Sequence, residues 1–356
     1  MSSGKTVGWV AVVLVVVAAA AGYAGYARYV RIPTNVAYVS EQDGGISVID
    51  LRTMKVIRRV HPNNVAPRGI DITHDGKYVV VADKDTADAS VFDTRAMRLV
   101  KRFHVGDNPE FVKLNPRGDE LFTSYEARST GGLPTSGGDD SKLGEPHSHV
   151  AKYHVPDWTQ ELDFEAGTET EGLEFSRDGK YLMVANEAQS TISIYDAQAG
   201  TLVRTIDLKP YGQRPRGVKV SPDGSGYAVT MEFSGTLVKM DSNFNVTNTV
   251  QTAAMPYGLA FDREGKRIFV SAATARKMQV FAAGSLQLIA ETPTGQRCWH
   301  FTFTPDDSKI LLACGRSNNV VVIDASSYKV IQTIEGFKLP WGIITYPRSF
   351  GSLGLP

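Results

Sequence analysis

Apolar and polar residues alternate in short runs along most of the chain, and Pro-Asp or Asp-Gly turns separate the runs in pairs. Alternation with a period of two predicts β-strands that are buried on one face, and such turns predict hairpins. The stretch at residues 295–315 is a clear example, with Pro305-Asp306-Asp307 between two β-rich runs. The pattern therefore predicts an all-β protein made of repeated hairpins.

The hairpins begin with the sequence Pro-x-Gly or a variant of it. Successive openings lie 42, 61, 45, 41, 42 and 42 residues apart, counted between their third residues Gly69, Phe111, Gly172, Gly217, Gly258, His300 and Gly342. A third strand, which ends at or near an Asp, and a fourth strand follow the hairpin. A period near 42 residues with four strands is typical of a β-propeller blade.

The two ends of the chain are incomplete in complementary ways. Residues 36–60 supply three strands without an opening strand, whereas residues 341–346 supply an opening strand with nothing after it. Pairing the two would complete a blade and remove exposed sheet edges. We therefore predict a seven-bladed β-propeller over residues 36–346, closed by N- and C-terminal strands that share one blade. Residues 347–356 are then a C-terminal tail.

An uncharged run at residues 7–27 precedes the propeller. Its length suits a transmembrane helix, which needs roughly 20 apolar residues, and its small residues also suit a cleaved signal peptide. Residues 1–27 are thus predicted to be a single-pass anchor or a signal, and residues 28–35 a short tether. If the anchor is retained, membrane lipid is a partner and the propeller lies on the periplasmic side. If the signal is cleaved, the protein is soluble in the periplasm.

Composition and cysteine usage narrow the possible partners. Lys plus Arg and Asp plus Glu both number 38, so no overall positive charge favours nucleic acid. No Cys-x-x-Cys-His motif is present, which excludes covalent c-type haem. Cys298 and Cys314 lie in one hairpin, and a regular register places them on opposite faces. A disulfide between them is therefore expected only if a bulge intervenes.

The third blade contains an insertion loop at residues 126–149, which accounts for the long step between openings. At its end, His147 and His149 are two residues apart and would face the same side of a strand, and His154 follows them. Such histidines could bind Zn²⁺ or Cu²⁺. The alternative is that they are surface histidines without a metal.

The first strand of each blade lines the channel of a propeller, so the middle residues of the openings are expected to form a ring at one mouth. These residues are Arg68, Glu110, Glu171, Arg216, Tyr257, Trp299 and Trp341, with His300 beside them. The ends of the second strands are expected to add a second ring at the same mouth: Glu41, Lys84, Glu126, Glu187, Glu232, Ala273 and Gly315.

Arginines beside aromatic rings favour a small polar or anionic ligand, or a protein partner, at this mouth. The alternative is that Arg68 and Arg216 only form ion pairs with neighbouring glutamates. The glutamates themselves could hold Ca²⁺, although the sequence requires no cofactor. No Gly-x-Ser-x-Gly or His-Glu-x-x-His motif marks a catalytic residue.

The blade sequences also resemble a known family. Residues 37–40, 182–186 and 268–271 resemble the YVTN class of β-propellers, and residues 214–224 and 295–342 are most similar to propellers associated with catabolism that depends on pyrroloquinoline quinone. Over residues 36–346, this resemblance implies an exported propeller found alongside quinoprotein alcohol oxidation, with no catalytic residues to carry over. The run at residues 300–305 more distantly resembles the propeller of cytochrome d1-type nitrite reductases.

Together, these observations predict a binding or scaffold subunit for a periplasmic oxidoreductase of the quinoprotein or cytochrome kind. Its partner would be another periplasmic or membrane protein. An enzyme is the alternative, either a metal-dependent hydrolase similar to the lactonase propellers, which hold a metal at the mouth, or a propeller enzyme that handles tetrapyrroles.

Overall fold

The computed structural model describes residues 32–62, 65–126 and 147–356. The anchor or signal expected at residues 1–27, most of the tether and most of the insertion loop lie outside these residues. Within the described ranges, no helix is long and apolar enough to cross a membrane. The described chain forms seven sheets of four strands each, which confirms the predicted seven-bladed β-propeller.

The strands follow one another from blade to blade in chain order. Blade 1 begins with β1 (Val36–Glu41), β2 (Gly45–Asp50) and β3 (Lys55–Val60). Blade 2 contains β4 (Pro67–Ile72), β5 (Tyr78–Asp83), β6 (Asp88–Asp93) and β7 (Arg98–His104). Blade 3 contains β8 (Val112–Leu114), β9 (Glu120–Tyr125), β10 (His149–His154) and β11 (Gln160–Glu165). Blade 4 contains β12 (Thr170–Phe175), β13 (Tyr181–Asn186), β14 (Thr191–Asp196) and β15 (Leu202–Asp207).

The remaining blades repeat this arrangement. Blade 5 contains β16 (Pro215–Val220), β17 (Gly226–Met231), β18 (Thr236–Asp241) and β19 (Val246–Gln251). Blade 6 contains β20 (Pro256–Phe261), β21 (Arg267–Ala272), β22 (Lys277–Ala282) and β23 (Leu288–Pro293). Blade 7 contains β24 (Cys298–Phe303), β25 (Lys309–Cys314), a 3-10 turn (Gly315–Ser317), β26 (Asn319–Asp324) and β27 (Val330–Glu335). The last strand, β28 (Pro340–Tyr346), completes blade 1.

The ring closes as the sequence predicted. β28 pairs antiparallel with β1, with Val36 opposite Tyr346 and Val39 opposite Ile343. The first strands of neighbouring blades contact one another around the axis, and β28 lies between β24 and β4. We call the end of the channel where these inner strands begin the upper mouth, and the end where they finish the lower mouth.

A β-bulge interrupts the start of most inner strands. In β4, Pro67 is opposite Asp83 and Ile70 is opposite Val81, so two residues, Arg68 and Gly69, share one partner position. The same shift occurs in β12, β16, β20 and β24. A bulge increases the local twist and redirects side chains. It therefore explains how the middle residues of the openings reach the channel.

The bulge also decides the state of the cysteines. In β24 it lies between Cys298 and Phe301, so Cys298 is directly opposite Cys314, and the two residues form a disulfide. The expectation that they lie on opposite faces was wrong because it assumed a regular register. The bulge shifts the pairing by one residue, which is enough to move a side chain to the other face.

Close approach of the inner strands explains the glycine in the openings. A Cβ atom at Gly69 would lie 2.6 Å from the Glu110 carbonyl oxygen, and one at Gly258 would lie 2.5 Å from that of Trp299. Real Cβ atoms do not come this close to backbone, so glycine is required at these positions.

The C-terminal tail returns into the channel from the lower mouth. The Phe303 N–H donates to the Phe350 carbonyl at 2.8 Å, and the Ser352 N–H donates to the Phe301 carbonyl at 2.9 Å. On blade 3, Lys113 Nζ donates to the Leu353 carbonyl at 2.8 Å. The tail therefore closes the channel below the upper mouth, a role that the sequence pattern did not indicate.

Deleting residues 339–356 removes β28 and leaves β1 without its inner partner. We expect the shortened chain to aggregate or to lose several kcal/mol of stability, a large share of what a domain has, because the inner edge of β1 becomes exposed. Urea unfolding and size-exclusion chromatography would measure this. A chain that ends at Tyr346 keeps β28 and serves as the control. Equal unfolding of the chain lacking residues 339–356 and the full chain would contradict the shared blade.

Replacing Cys298 and Cys314 by Ser removes a cross-link between residues separated by 16 positions. A loop of this size predicts a loss of roughly 3 kcal/mol in the free energy of unfolding. Urea denaturation of the double variant and of the reduced wild-type protein should give the same midpoint, below that of the oxidised wild type. If oxidised and reduced wild type unfold alike, the disulfide contributes nothing.

Candidate functional site

The upper mouth divides into two sectors of different character. The first lies on blades 4 and 5 and combines two buried arginines with four glutamates: Arg214, Arg216, Glu169, Glu171, Glu187 and Glu232. Arg214 Nη1 donates to Glu169 at 2.6 Å and also pairs with Glu187. Arg216 pairs with Glu171 and Glu187, and its Nε lies 3.6 Å from Glu232. We call this group the acidic sector.

The arginines of the acidic sector occupy the space between its carboxylates. Burial raises the pKa of Glu171 and Glu187, although attraction to Arg216 opposes the rise. Elsewhere on the rim, Arg68 pairs with Glu110 and its Nη1 lies 3.4 Å from Asn108 Oδ1. Ion pairing of Arg68 and Arg216, the alternative considered from the sequence, is therefore present.

The glutamates of the upper mouth are not arranged as a metal site within the described residues. In the described ranges, no group of three or more His, Cys, Asp and Glu side chains is arranged to hold a metal ion. Four of the carboxylates that were candidates for Ca²⁺ pair with guanidinium groups instead, namely Glu110, Glu171, Glu187 and Glu232. Of the second predicted ring, Glu187 and Glu232 belong to this ion network, whereas Gly315 leaves room for the Trp299 indole.

The second sector is aromatic and centres on His300. The imidazole centroid lies 4.3 Å from the Trp341 ring, 5.3 Å from Tyr257 and 5.7 Å from Phe111. Trp299 lies 6.5 Å from Tyr257. We call these five residues the aromatic sector. Phe111 and His300 are the third residues of their openings, where most other blades have glycine, so their side chains enter the space near the axis.

The aromatic sector is buried, with Trp299 8% exposed and Trp341 2% exposed. Arg216 of the acidic sector lies over the Tyr257 ring with its Cζ atom 4.3 Å from the centroid. A cation over an aromatic face is favourable. The two sectors are thus in direct contact.

The two ring nitrogens of His300 have different surroundings. Nδ1 lies 3.0 Å from the Ser352 hydroxyl oxygen, whereas Nε2 is buried and has no hydrogen-bond partner among the described residues. Burial, assisted by the charges of Arg216 and Lys219, lowers the pKa of His300 well below its usual value. The imidazole is therefore neutral at physiological pH, and one polar atom remains unsatisfied at the centre of the aromatic sector.

Four basic residues on the loops of blades 6 and 7, the blades that carry Tyr257, Trp299 and His300, have no carboxylate partner in the described chain. They are Arg276, Arg297, Arg316 and Lys338, none of which forms an ion pair with a described residue. Arg297 directly precedes the disulfide and Trp299, and its Nε is buried without a hydrogen-bond partner in the described chain. Its Nη1 contacts only a weak acceptor, Met255 Sδ, at 3.8 Å. This side of the mouth can therefore attract anionic groups.

The histidines after the insertion loop each have their own carboxylate. His147 contacts Glu165, and His149 Nδ1 lies 2.7 Å from Asp163. His154 Nδ1 lies 3.1 Å from Asp157. His149 and His154 begin and end β10, so they are about 16 Å apart along the strand and cannot share one metal ion. Metal binding by His147 and His149 remains a prediction.

Several residues of the site were missed by the sequence analysis. Phe111 stands where most openings have glycine, so the repeat alignment contained a signal for it. Arg214 and Arg297 lie just before an opening and were outside the aligned positions. Ser352 belongs to the tail, which has no counterpart in the repeats, so no pattern indicated its contact with His300.

Two family models match different parts of this chain. The family model described as cytochrome D1 heme domain matches residues 19–126, and that described as lactonase, 7-bladed β-propeller, matches residues 147–260. Protein NirF of Stutzerimonas stutzeri is 22% identical over 338 residues, which cover 88% of this chain and 80% of NirF. Each family model matches less than half of the chain.

Solved structures share the fold. The periplasmic gluconolactonase PpgL of Pseudomonas aeruginosa is 19% identical with a TM-score of 0.69, and the match covers 86% of this chain and 98% of PpgL. Dihydro-heme d1 dehydrogenase NirN, solved in complex with DHE, is 15% identical with a TM-score of 0.63, covering 88% of this chain and 75% of NirN. Such low identities establish the fold alone.

The two matching family models agree with the alternative from the sequence analysis, a propeller related to tetrapyrroles or to lactonases, better than with the scaffold function. None of these families or relatives concerns pyrroloquinoline quinone, so that association remains an expectation from the resemblance.

The lowered pKa of His300 predicts a specific pH dependence of stability. The unfolded chain gains a proton at this residue below about pH 6.5, whereas the folded protein does not. Acid therefore favours unfolding, and His300→Asn should flatten the fall in stability below that pH by up to about 1.4 kcal/mol per pH unit. Urea unfolding at pH 7.5 and 5.5 would measure the difference.

The control for this experiment is His154→Asn. The hydrogen bond with Asp157 raises the pKa of His154, so this substitution should not reduce the sensitivity to acid. If His300→Asn and wild type lose stability in parallel between the two pH values, His300 is protonated in the folded state.

Proposed function

We propose that this protein binds a tetrapyrrole of the heme d1 type at the upper mouth and handles it in the periplasm, as an enzyme or as a carrier. The observation that carries the proposal is the buried, neutral His300, whose Nε2 atom has no partner among the described residues and is surrounded by aromatic rings. The names of NirN and of the matching cytochrome D1 heme domain indicate the same ligand class.

The residues of the mouth fit such a ligand. A buried polar atom without a partner costs about 1–3 kcal/mol, so a ligand that satisfies His300 Nε2 recovers this cost. A neutral imidazole nitrogen is a good iron ligand, and the iron of a bound tetrapyrrole would supply redox chemistry. The rings of Tyr257 and Trp341 lie against His300, and this aromatic surrounding matches the flat, apolar ring system of such a ligand.

Charge is also complementary. Heme-type tetrapyrroles carry carboxylate groups, and Arg297 presents a guanidinium without a carboxylate partner in the described chain. Hydrogen bonds between a guanidinium and a carboxylate are stronger than those between neutral groups. Arg276, Arg316 and Lys338 extend the same positive surface. The arginines of the acidic sector already pair with its own glutamates, so we place the carboxylates of the ligand beside blades 6 and 7.

A metal-dependent lactonase fits the described residues less well. The glutamates that would have to bind the metal contact Arg214 and Arg216 instead. We therefore assign no hydrolytic step to this mouth. The uncharged run at residues 7–27 and the description of PpgL as periplasmic support a periplasmic location. Whether that run is an anchor with lipid as a partner remains a prediction.

Titration with iron protoporphyrin IX tests the proposal. We expect a shifted Soret band with saturable binding, loss of the shift in His300→Ala, and affinity at least tenfold lower in Arg297→Ala, because one charged hydrogen bond contributes about 1.5–3 kcal/mol. Arg204→Ala, on the outer strand β15, is the matched control and should bind normally. Binding that is equal in wild type and His300→Ala would contradict a site at the aromatic sector.

A lactone hydrolysis assay with added Ca²⁺ or Zn²⁺ tests the lactonase alternative. Turnover of gluconolactone, together with an unchanged protoporphyrin spectrum, would favour the lactonase alternative over tetrapyrrole binding.

A further inference from the structure

The tail inside the channel behaves as a short additional strand. Gly351 forms a β-bridge with Thr302 of β24, and the flanking hydrogen bonds join Phe350 and Ser352 to the same strand. A Cβ atom at Gly351 would lie 2.9 Å from the Phe301 carbonyl oxygen, so the tail approaches β24 as closely as backbone permits. This segment, residues 350–353, is buried.

The tail fills space that the glycines of the openings leave empty. A Cβ atom at Gly258 would lie 3.0 Å from Ser352 Cβ, and one at Gly342 would lie 2.9 Å from Leu353 Cδ1. These glycines belong to blades 6 and 1, which flank His300 of blade 7 on either side. Ser352 and Leu353 thus lie beneath His300, against the inner strands of blades 6, 7 and 1, and form a floor under the aromatic sector.

The Ser352 hydroxyl contacts three groups at this floor. Its oxygen accepts a hydrogen bond from the Phe301 N–H at 2.9 Å, lies 3.1 Å from the Phe301 carbonyl oxygen and lies 3.0 Å from His300 Nδ1. If the hydroxyl donates to the carbonyl, it can accept from Nδ1–H. If instead it donates to Nδ1, the proton of His300 is on the buried Nε2. A buried N–H without a partner is rarer in proteins than an unsatisfied acceptor, so the first arrangement is favoured.

We infer that Ser352 is a positioning residue that holds His300 in the tautomer with the proton on Nδ1, so that Nε2 presents a lone pair to the ligand. Histidines that bind metals commonly donate their other N–H to a neighbouring acceptor, which sets the tautomer and the ring orientation. The role of the lone pair rests on the proposed function. The inference that Ser352 orients the His300 imidazole does not depend on the proposed function.

The test compares Ser352→Ala with Ser349→Ala in the full chain. Ser349 is a matched control because it also belongs to the tail and hydrogen-bonds the Phe303 carbonyl, but it makes no hydrogen bond to His300. Nitrogen-15 NMR of the His300 ring reports the tautomer without any ligand. We expect wild type and Ser349→Ala to carry the proton on Nδ1, and Ser352→Ala to shift population towards Nε2–H.

Iron protoporphyrin IX binding is the second measurement. Loss of an outer-shell partner typically lowers affinity 10- to 100-fold, so we expect at least a tenfold loss in Ser352→Ala and little change in Ser349→Ala. If Ser352→Ala folds poorly, Ser352→Cys takes its place, because cysteine has a similar shape and is a weaker hydrogen-bond acceptor. We expect the same loss of affinity and the same shift of the tautomer in that variant. An unchanged tautomer in both Ser352 variants would overturn the inference. A wild type that binds no porphyrin would instead reject the proposed function, with NMR still deciding the role of Ser352.

Discussion

The seven inner strands approach one another so closely around the axis that most openings require a residue without a side chain. Glycine at the third position lets the backbone of one blade pass the next, as the contacts at Gly69 and Gly258 demonstrate. The β-bulge at the same place redirects the preceding residue towards the channel. Blade closure, the ring of channel residues and the space for the tail all depend on this one steric constraint.

The two openings that place a large side chain at this position define the centre of the candidate site. Phe111 and His300 lie on blades 3 and 7, and their ring centroids are 5.7 Å apart. The Trp341 ring of blade 1 contacts both, at 5.4 Å from Phe111 and 4.3 Å from His300. Aromatic side chains fill the axis at this level, and the tail fills it below. His300 therefore lies between aromatic rings on one side and the Ser352 hydroxyl on the other, and this asymmetry leaves one ring nitrogen satisfied and the other without a partner among the described residues.

Electrostatics divide the same mouth. Burying carboxylates is costly unless each finds a partner, and the acidic sector meets this requirement with Arg214 and Arg216, which contact four glutamates. Arg297 has no such partner in the described chain, although its Nε is buried. In one sector the arginines already pair with glutamates, which outnumber them, whereas the other sector keeps cationic groups available to a ligand. Net composition, which is balanced at 38 and 38, conceals this division.

The sequence by itself determined the all-β class, the seven blades and the shared first blade, because strand alternation and turn residues repeat at a fixed period that any blade must obey. The ring of site residues at one mouth stays a prediction, although some neighbouring members of it, such as Arg68 and Glu110, form ion pairs. Only the tertiary structure decided that Cys298 and Cys314 meet, because a one-residue bulge is invisible to a regular register. It alone also placed Ser352 against His300, since that contact joins residues 52 positions apart through a tail that follows no repeat.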